Sequence, residues 1–566
     1  MDLSLLKFQF LQLLPNSSEI LLIFYFFLIL TIFANFNILN NLKFNTEYKN
    51  SNYFLNIFQG WIFFIIINLI FLILLNLSVF NSMIFFSIIF LFLLFIKKNF
   101  LLFPKVKFLK LYLVLIPYFF VLISLNPIGY DTLAFWIDLS DFIIHEDKLP
   151  VGILHDYYPP GIFFVESILQ KLLIDRTYNF YGILSFFYLL CTFIFLSEIL
   201  KIKNNFFLIL IIFFNPALLN VYSFTAYHDF SLGFFIFLVY LIYYLNDFKL
   251  VNGKYSNHIV IILSFLPLIK TEGLIHSIFI LLSMFIFEKK KNFSLSLYIK
   301  FIFIFLPFLI WKFHLVENDM VLRGLTIDKF MNRMNVEIIL SFFSSIFSQM
   351  IERKAFFGSL IFLFFLYLFY RNEKFSKLSR CILLHILFFN AFLFYFYFGS
   401  MAIWEINVAH SFWRYNMQLS FSVIFAYILF FSTFEYKLSF FNKKSINFFL
   451  ILLIITGPLF VLNKLRRDIF STQVIIDSNI ELISNRIENK TVGINAHHFY
   501  GSEYLINLLE NYTNNNKIFK VKFDPANIKN NKIEYDIIMY IDKDLILGKN
   551  FIYENEGPKK GKITKF

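Results

Sequence analysis

The chain has 566 residues, of which 59% are hydrophobic, 22% aromatic and only 15% charged, and its mean hydropathy is +0.70. A water-soluble core cannot bury so much apolar surface, so the composition excludes an ordinary soluble domain and predicts a multi-pass membrane protein. The net charge of +13 lies mainly in loops between apolar runs, which argues against nucleic-acid binding and indicates how the chain is oriented in a bilayer.

Apolar runs long enough to cross a bilayer recur along most of the chain. A hydrocarbon core of roughly 30 Å requires about 20 apolar residues in a helix, and on this basis we expect about fourteen transmembrane helices. Since the first run has no basic stretch before it and no small-residue cleavage site, we expect it to be a retained anchor. The predicted spans are residues 17–37, 56–76, 80–97, 108–125, 177–198, 205–222, 229–246, 257–269, 272–287, 296–315, 355–371, 380–398, 414–434 and 446–463.

The basic loops predict the topology. Lysines cluster between residues 97 and 110, between the third and fourth runs, and the positive-inside rule places this loop in the cytoplasm. The later basic loops are then cytoplasmic too, provided that residues 158–173, "YPPGIFFVESILQKLL", lie along the outer interface as an amphipathic helix and do not span. The predicted location is the plasma (inner) membrane, with the bilayer itself as a partner.

The first outer loop, residues 126–176, is unusually acidic for this chain. It begins with "NPIGYDTLAFWIDLSDFIIHEDKLPVGILHDYYPPG". Asp131 follows a span by only a few residues, where burial against the bundle would raise its pKa toward that of a useful base. Tyr130, His155 and Tyr158 are candidate substrate-binding residues in the same loop. For most of the other carboxylates we expect no more than a solvated outer surface.

Two further motifs place ionisable residues at the outer ends of predicted spans. His228 and Asp229 begin a span in "TAYHDFSLGFF", and Lys270 and Glu272 lie at the apex of a hairpin in "LPLIKTEGLIHS". Ionisable groups at membrane depth are costly, which makes them functional candidates. Each pair also has a structural interpretation: Asp229 can cap a helix, and Lys270 can pair with Glu272 to close the turn.

The last motif is "WEINVAHSFWRYNMQL", where Arg414 and Tyr415 lie at the outer start of a span, either as interface anchors or as part of a site. Together the candidates suit a reaction in which a hydroxyl displaces a phosphate from a sugar's anomeric carbon. Asp131 would act as the general base, while Arg414 and Lys270 would stabilise the departing phosphate. One base and direct displacement predict inversion of configuration.

The order of these motifs, over residues 105–435, resembles that of the C-type (GT-C) integral-membrane glycosyltransferases. It is most similar to the branch that includes protein O-mannosyltransferases and the aminoarabinose transferases that act on lipid A. The resemblance implies an all-α, GT-C-like polytopic fold and a polyprenyl-phosphate sugar as donor, with a glycan, lipid or protein as acceptor. It does not identify the sugar.

The resemblance also implies roles for single residues. Asp131 in "GYD" would activate the acceptor, and Tyr158 belongs to the Tyr-Pro-Pro motif that follows. Lys270 and Arg414 would contact the lipid-linked phosphate, and Asp229 in the second acidic motif is a second catalytic candidate. Asp131 is followed by threonine, where protein O-mannosyltransferases usually have glutamate, which argues against protein mannosylation.

A divalent cation is the only cofactor that the residues suggest, and donors of this kind generally require none in this branch. Asp131, His155, Asp156, His228 and Asp229 include the right ligand types, but their spacing matches no dedicated metal motif. No metal ligand is therefore assigned, and a divalent cation stays an open alternative.

These observations divide the chain into three parts. Residues 1–104 are N-terminal transmembrane helices of unassigned role, and residues 105–463 form the catalytic membrane domain. In that domain the outer loop 316–354 is either a lid over the site or an interfacial helix. Residues 464–566 are more polar, and "KTVGINA", "IFKVKF" and "YDIIMYID" predict strands around the helix "SEYLINLLENY", which indicates a small extracytoplasmic α/β domain.

Two other classes of protein fit part of the pattern. A transporter or flippase for lipid-linked sugars would have paired halves and charges near mid-membrane, whereas these charges collect on one predicted face. An O-antigen polymerase or ligase relies on arginines in a large outer loop, which Arg323 and Arg333 would supply. In that class Arg323 would matter more than Asp131.

Overall fold

A computed structural model gives the fold of this chain. The residues that it describes are 17–35, 49–97, 115–116, 119–120, 122, 136, 138–151, 156–173, 180–202, 205–213, 215, 218, 228–250, 253–288, 295–320, 326–433, 490–496, 518–520, 536–541, 551–557 and 560–565.

Helices make up most of the described chain, because apolar segments in lipid must satisfy their backbone hydrogen bonds internally. A π-helical stretch, Ile70–Leu74, continues the second helix. In chain order the helices are α1 (Ser17–Asn35), α2 (Lys49–Leu69), α3 (Val79–Lys97), α4 (Asp138–Glu146), α5 (Phe163–Lys171), α6 (Phe180–Ile199), α7 (Asn205–Phe213), α8 (His228–Leu245), α9 (Ser256–Ile269), α10 (Glu272–Phe287), α11 (Leu295–Glu317), α12 (Ile327–Arg333), α13 (Val336–Glu352), α14 (Lys354–Phe369), α15 (Glu373–Ser400), α16 (Ile403–Asn407), α17 (Phe412–Met417) and α18 (Ser420–Ser432).

Within the described residues, six helices are long and apolar enough to cross a membrane, and the number rises to seven if α12 and α13, which meet at 91°, form one bent span. Five more apolar helices are shorter, among them α9 and α10. The expected count of fourteen is therefore not confirmed. Most of residues 108–125 and all of 446–463 lie outside the described part. The six long segments are Ser17–Asn35, Asn50–Leu74, Phe180–Ile199, His228–Leu245, Ile299–Glu317 and Glu373–Ser400.

The helices α6 and α8 lie at the centre of the bundle. In the apolar stretch of α6 all residues are buried, and in that of α8 89% of the residues are buried. In the corresponding stretches of α1 and α11 only 28% of the residues are buried. Tyr188 of α6 stacks on Phe234 of α8 with ring centroids 4.4 Å apart, and Phe58 of α2 packs 4.9 Å from Phe234. The outer helices expose apolar side chains, as expected for surfaces that contact lipid.

The helix α5 differs from the expected interfacial helix over residues 158–173. Its nine residues extend about 14 Å, too short for a crossing, as anticipated. However, Phe163–Gln170 are buried on every face. This is possible because its polar residues find partners: the Ser167 hydroxyl donates to Phe163 O at 2.7 Å and lies 3.1 Å from Ser140 Oγ, and Glu166 accepts from Tyr181.

Near the C-terminus, the described residues form one five-stranded sheet. Its strands are β1 (Val492–Ala496), β2 (Ile518–Lys520), β3 (Ile537–Ile541), β4 (Phe551–Gly557) and β5 (Lys560–Lys565), in the order β2-β1-β3-β4-β5. β1 pairs in parallel with β2 and β3, and β4 is antiparallel to both its neighbours. The three predicted strands are present, but the predicted helix lies outside the described residues, so the α/β domain stays a prediction.

Asp147 fixes the start of α3. Its carbonyl oxygen accepts from Val79 N at 2.8 Å, and its carboxylate accepts from Phe80 N at 3.2 Å and from Lys171 Nζ at 2.6 Å. Partial burial tends to raise the pKa of this carboxyl, but the hydrogen bonds and the charge of Lys171 outweigh burial and hold the pKa below its ordinary value. The charged form therefore stabilises the fold above the unfolded pKa of about 3.9.

This stabilisation is expected to be lost as the pH falls from that value toward the lower folded pKa. Thermal unfolding in detergent should show the wild-type midpoint decreasing more steeply below about pH 4 than that of Asp147→Asn. The effect is small because both groups are partly exposed. Lys171→Met should reduce the same pH dependence, and equal slopes in all three proteins would contradict the assignment.

Candidate functional site

Two glycines allow the backbone of neighbouring segments to contact the last turn of α9. Gly161 N donates to Leu268 O at 2.7 Å, and a Cβ at Gly161 would lie 2.3 Å from that oxygen. A Cβ at Gly273 would lie 1.9 Å from Leu266 O. Only glycine allows backbone to approach this closely. As a result Lys270, which follows α9 directly, lies beside the starts of α5 and α10.

Four charged side chains meet where α8, α9, α10 and α17 come together. Lys270 Nζ donates to Asp229 Oδ1 at 2.9 Å and lies 3.3 Å from Glu272 Oε1. Arg414 Nε lies 3.5 Å from Asp229 Oδ2. Asp229 and Lys270 are only 1% and 5% exposed. We call these four residues the ion cluster; its formal charge is zero.

Tyr415 and Gln418 complete the surroundings of the ion cluster. Lys270 Nζ and the Arg414 guanidinium lie 5.3 Å and 5.8 Å from the centre of the Tyr415 ring, distances at which a cation is attracted to an aromatic face. Gln418 Nε2 donates to Asp229 Oδ1. Tyr415 is buried, so its ring shields one side of both cations from water.

His228 lies next to the ion cluster in a separate polar group. Its Nδ1 is 3.1 Å from Ile269 O, and because a carbonyl only accepts, Nδ1 carries the proton and Nε2 is an acceptor in the neutral ring. Nε2 lies 3.5 Å from the Tyr181 hydroxyl, which donates to Glu166 at 2.5 Å. Trp136 stacks on the imidazole at 3.6 Å.

The structure brings some of the predicted site residues together, while others lie apart or outside the described residues. Asp229, Lys270, Glu272, Arg414 and Tyr415 come together, and His228 adjoins them. Tyr158 is half-buried and packs against Trp136 with ring centroids 4.7 Å apart, so it lies one ring away from His228. The remaining three candidates, Tyr130, Asp131 and His155, lie outside the described residues.

Sequence reasoning did not single out several of these polar groups. Glu166 and Tyr181 were not proposed as partners of His228, and Gln418 was not proposed as a partner of Asp229. All three are polar side chains buried in the helical bundle, and such residues are costly in a membrane unless they are paired. That signal was available in the sequence, but the partners come from distant elements.

The described residues of the segment 316–354 pack on the chain that precedes Arg414. Gln349 Nε2 donates to Ala409 O at 2.7 Å and Ser345 Oγ to Asn407 O at 2.6 Å. Arg333 donates to the carbonyl oxygens of Phe398 and Met401. These contacts make the segment a support for the Arg414 region. Arg323 lies outside the described residues.

The described side chains include histidines, cysteines and carboxylates, the residue types that bind metal ions. Among them, no group of three or more histidine, cysteine, aspartate or glutamate residues could hold a metal ion. Two of the five candidate ligands, Asp131 and His155, are outside the described chain, so the possible divalent cation has no described geometry.

No family model, curated protein or solved structure matches this chain. The described fold and site define a helical protein with six or seven candidate membrane spans and an ion cluster of two cations and two carboxylates enclosed at one end of its central helices.

Proposed function

We propose that the protein is a membrane glycosyltransferase. It moves a sugar from a polyprenyl-phosphate-linked donor to an acceptor hydroxyl on the extracytoplasmic face of the plasma membrane, with inversion. The observation that carries the proposal is the convergence of Lys270 and Arg414 on Asp229 at the ends of membrane-embedded helices. A departing phosphate needs no general acid, but it does need preorganised positive charge in a site that excludes water.

The charge balance of the ion cluster supports this role. Without a donor, Asp229 and Glu272 neutralise the two cations, and an uncompensated buried cation would cost several kcal/mol. A donor phosphate would replace Asp229 Oδ2 beside Arg414, whose planar guanidinium matches phosphate oxygens. The isoprenoid chain of the donor would lie in the bilayer, so a site built on spans is accessible to it.

The same contacts favour a counter-ion role for Asp229 over a catalytic one. Its carboxylate already accepts from Lys270 and Gln418 and faces Arg414, so it would have to release these partners before accepting a substrate proton. Asp131 is therefore the proposed general base. Trp136, which follows Asp131 by five residues in the sequence, stacks on His228, and this contact supports the choice of Asp131.

The polymerase or ligase alternative rests on Arg323 and Arg333. Arg333 uses its guanidinium to bind two backbone carbonyls of the α15 end, which is a structural role. This favours Arg323 over Arg333 as the working residue of that class. The transporter alternative predicts no sugar transfer at all, so a transfer assay separates it from the proposed function.

The test is sugar transfer from a set of radiolabelled polyprenyl-phosphate sugars in membranes that contain wild type, Asp131→Asn or Arg323→Ala, with protein amounts measured in parallel. We expect Asp131→Asn to lose at least about 10²-fold in rate, as for removal of a general base, and Arg323→Ala to keep its activity. Full activity in Asp131→Asn would refute Asp131 as the base. No transfer by wild type from any donor would refute the glycosyltransferase proposal.

A further inference from the structure

A chain of buried polar side chains leads from the ion cluster into the middle of the bundle. The Tyr240 hydroxyl lies 3.0 Å from His385 Nδ1, and His385 Nε2 lies 2.9 Å from His276 Nδ1. His276 Nε2 lies 2.6 Å from Gln418 Oε1, and Gln418 Nε2 reaches Asp229. All five residues are at most 1% exposed. We call them the polar chain.

The chemistry of Asp229 sets the direction of every hydrogen bond in the polar chain. An ionised carboxylate only accepts, so the amide NH₂ of Gln418 faces Asp229 and its oxygen faces His276. His276 Nε2 must then donate, which leaves Nδ1 of the neutral ring as an acceptor for His385 Nε2–H. His385 Nδ1 in turn accepts from the Tyr240 hydroxyl.

Both imidazoles are fully buried, and the Phe389 ring lies 4.0 Å from that of His276. A cation is costly in such surroundings, which favours the neutral form of both rings. With His276 and His385 both in the Nε2–H form, each ring nitrogen that carries a proton faces an acceptor, and each ring nitrogen without a proton faces a donor. No other neutral arrangement satisfies all of them.

We infer that this one-way polar chain positions Asp229. Tyr240, His385, His276 and Gln418 are then positioning residues for the ion cluster, and the inference does not depend on the proposed transferase activity. Because Gln418 and Lys270 both donate to Oδ1, the carboxylate is held with Oδ2 toward Arg414. Through its hydrogen bonds, the polar chain connects the Asp229 carboxylate to side chains on α8, α10 and α15.

The polar chain is suited to positioning and not to proton conduction. Tyr240 and Asp229 lie on the same helix, about three turns apart, so the path follows the bundle axis for much of α8. A proton relay requires a group at each step that can take up and release a proton, as in the carboxylate and histidine relays of pumps. The Gln418 amide cannot do this, and it interrupts the path next to the ion cluster.

The experiment is ¹⁵N NMR of the full-length protein in nanodiscs with ¹⁵N-labelled histidine, and it needs no sugar donor. His276→Gln and His385→Gln identify the two sets of signals. We expect both rings to show a protonated Nε2 and a bare Nδ1, without titration, between about pH 5 and 8. Titration of either ring in this range, or a protonated Nδ1, would overturn the inference.

Gln418→Leu tests whether the polar chain acts as a unit. Without the amide, a second tautomer should appear at His276 and also at His385, which does not touch Gln418. The matched control is Gln59→Leu, because Gln59 contacts His258 in another buried pair; this variant should alter the His258 signals alone. An unchanged His385 in Gln418→Leu would show that the hydrogen bonds are not coupled.

If Gln418→Leu does not fold, Tyr240→Phe tests the same chain from its other end. Loss of the hydroxyl should shift the His385 Nδ1 resonance toward that of a nitrogen without a hydrogen bond, while His276 keeps its tautomer. An unshifted Nδ1 would overturn the inference.

Discussion

An Arg414→Lys variant is expected to transfer sugar about 10²- to 10³-fold more slowly than wild type while keeping its fold. Lysine keeps the positive charge but loses the planar fork that can hold two phosphate oxygens. The Arg414 side chain is 14% exposed, and the retained charge still balances the carboxylates, so the protein should accumulate normally. Because the lost interaction is made with the departing phosphate, the decrease should appear mainly in kcat and less in KM.

Arg353→Lys is the matched control for this variant. The Arg353 guanidinium lies 4.6 Å from the centre of the ring of Trp413, the residue that directly precedes Arg414. Arg353 is not part of the ion cluster. We expect its transfer rate to stay close to that of wild type. An equal loss in both variants would indicate a general disturbance of this region, and an unchanged rate in Arg414→Lys would remove Arg414 from phosphate binding.

Part of this architecture could be predicted because it depends on local patterns. Continuous apolar runs gave α1, α6, α8 and α15 close to their observed positions, since lipid forces such segments into helices. The cost of ionisable groups at membrane depth singled out Asp229, Lys270 and Arg414, although no sequence pattern stated that they would meet on one carboxylate.

The unpredicted features depend on contacts between distant parts of the chain. Glu166 made α5 look amphipathic, but its partner Tyr181 comes from α6, so the polar face became an interior one. His276 and His385 lie in largely apolar helices, and each gains its role from partners on other elements: from one another, and from Gln418 and Tyr240 respectively. Local periodicity carries no information about such pairs.

Removing one member of the ion cluster should also destabilise the bundle. Asp229→Leu is expected to lower the free energy of unfolding by about 3–5 kcal/mol, because it leaves Lys270 buried without its closest carboxylate. Lys270→Met should be damaging for the opposite reason, since it leaves the carboxylates in excess. Unfolding by heat or denaturant in detergent, followed by the loss of helical signal, measures both changes.

The double variant Asp229→Leu, Lys270→Met separates charge from packing. It leaves Arg414 and Glu272, whose charges balance, so its loss should be several kcal/mol smaller than the sum of the two single losses. Glu373 and Lys377 form an exposed pair at 2.7 Å, and the corresponding cycle there should give a coupling of about 0.5 kcal/mol or less. Additive losses at Asp229 and Lys270 would mean that the two side chains act through packing alone, and the ion cluster would then have no preorganised charge to offer a phosphate.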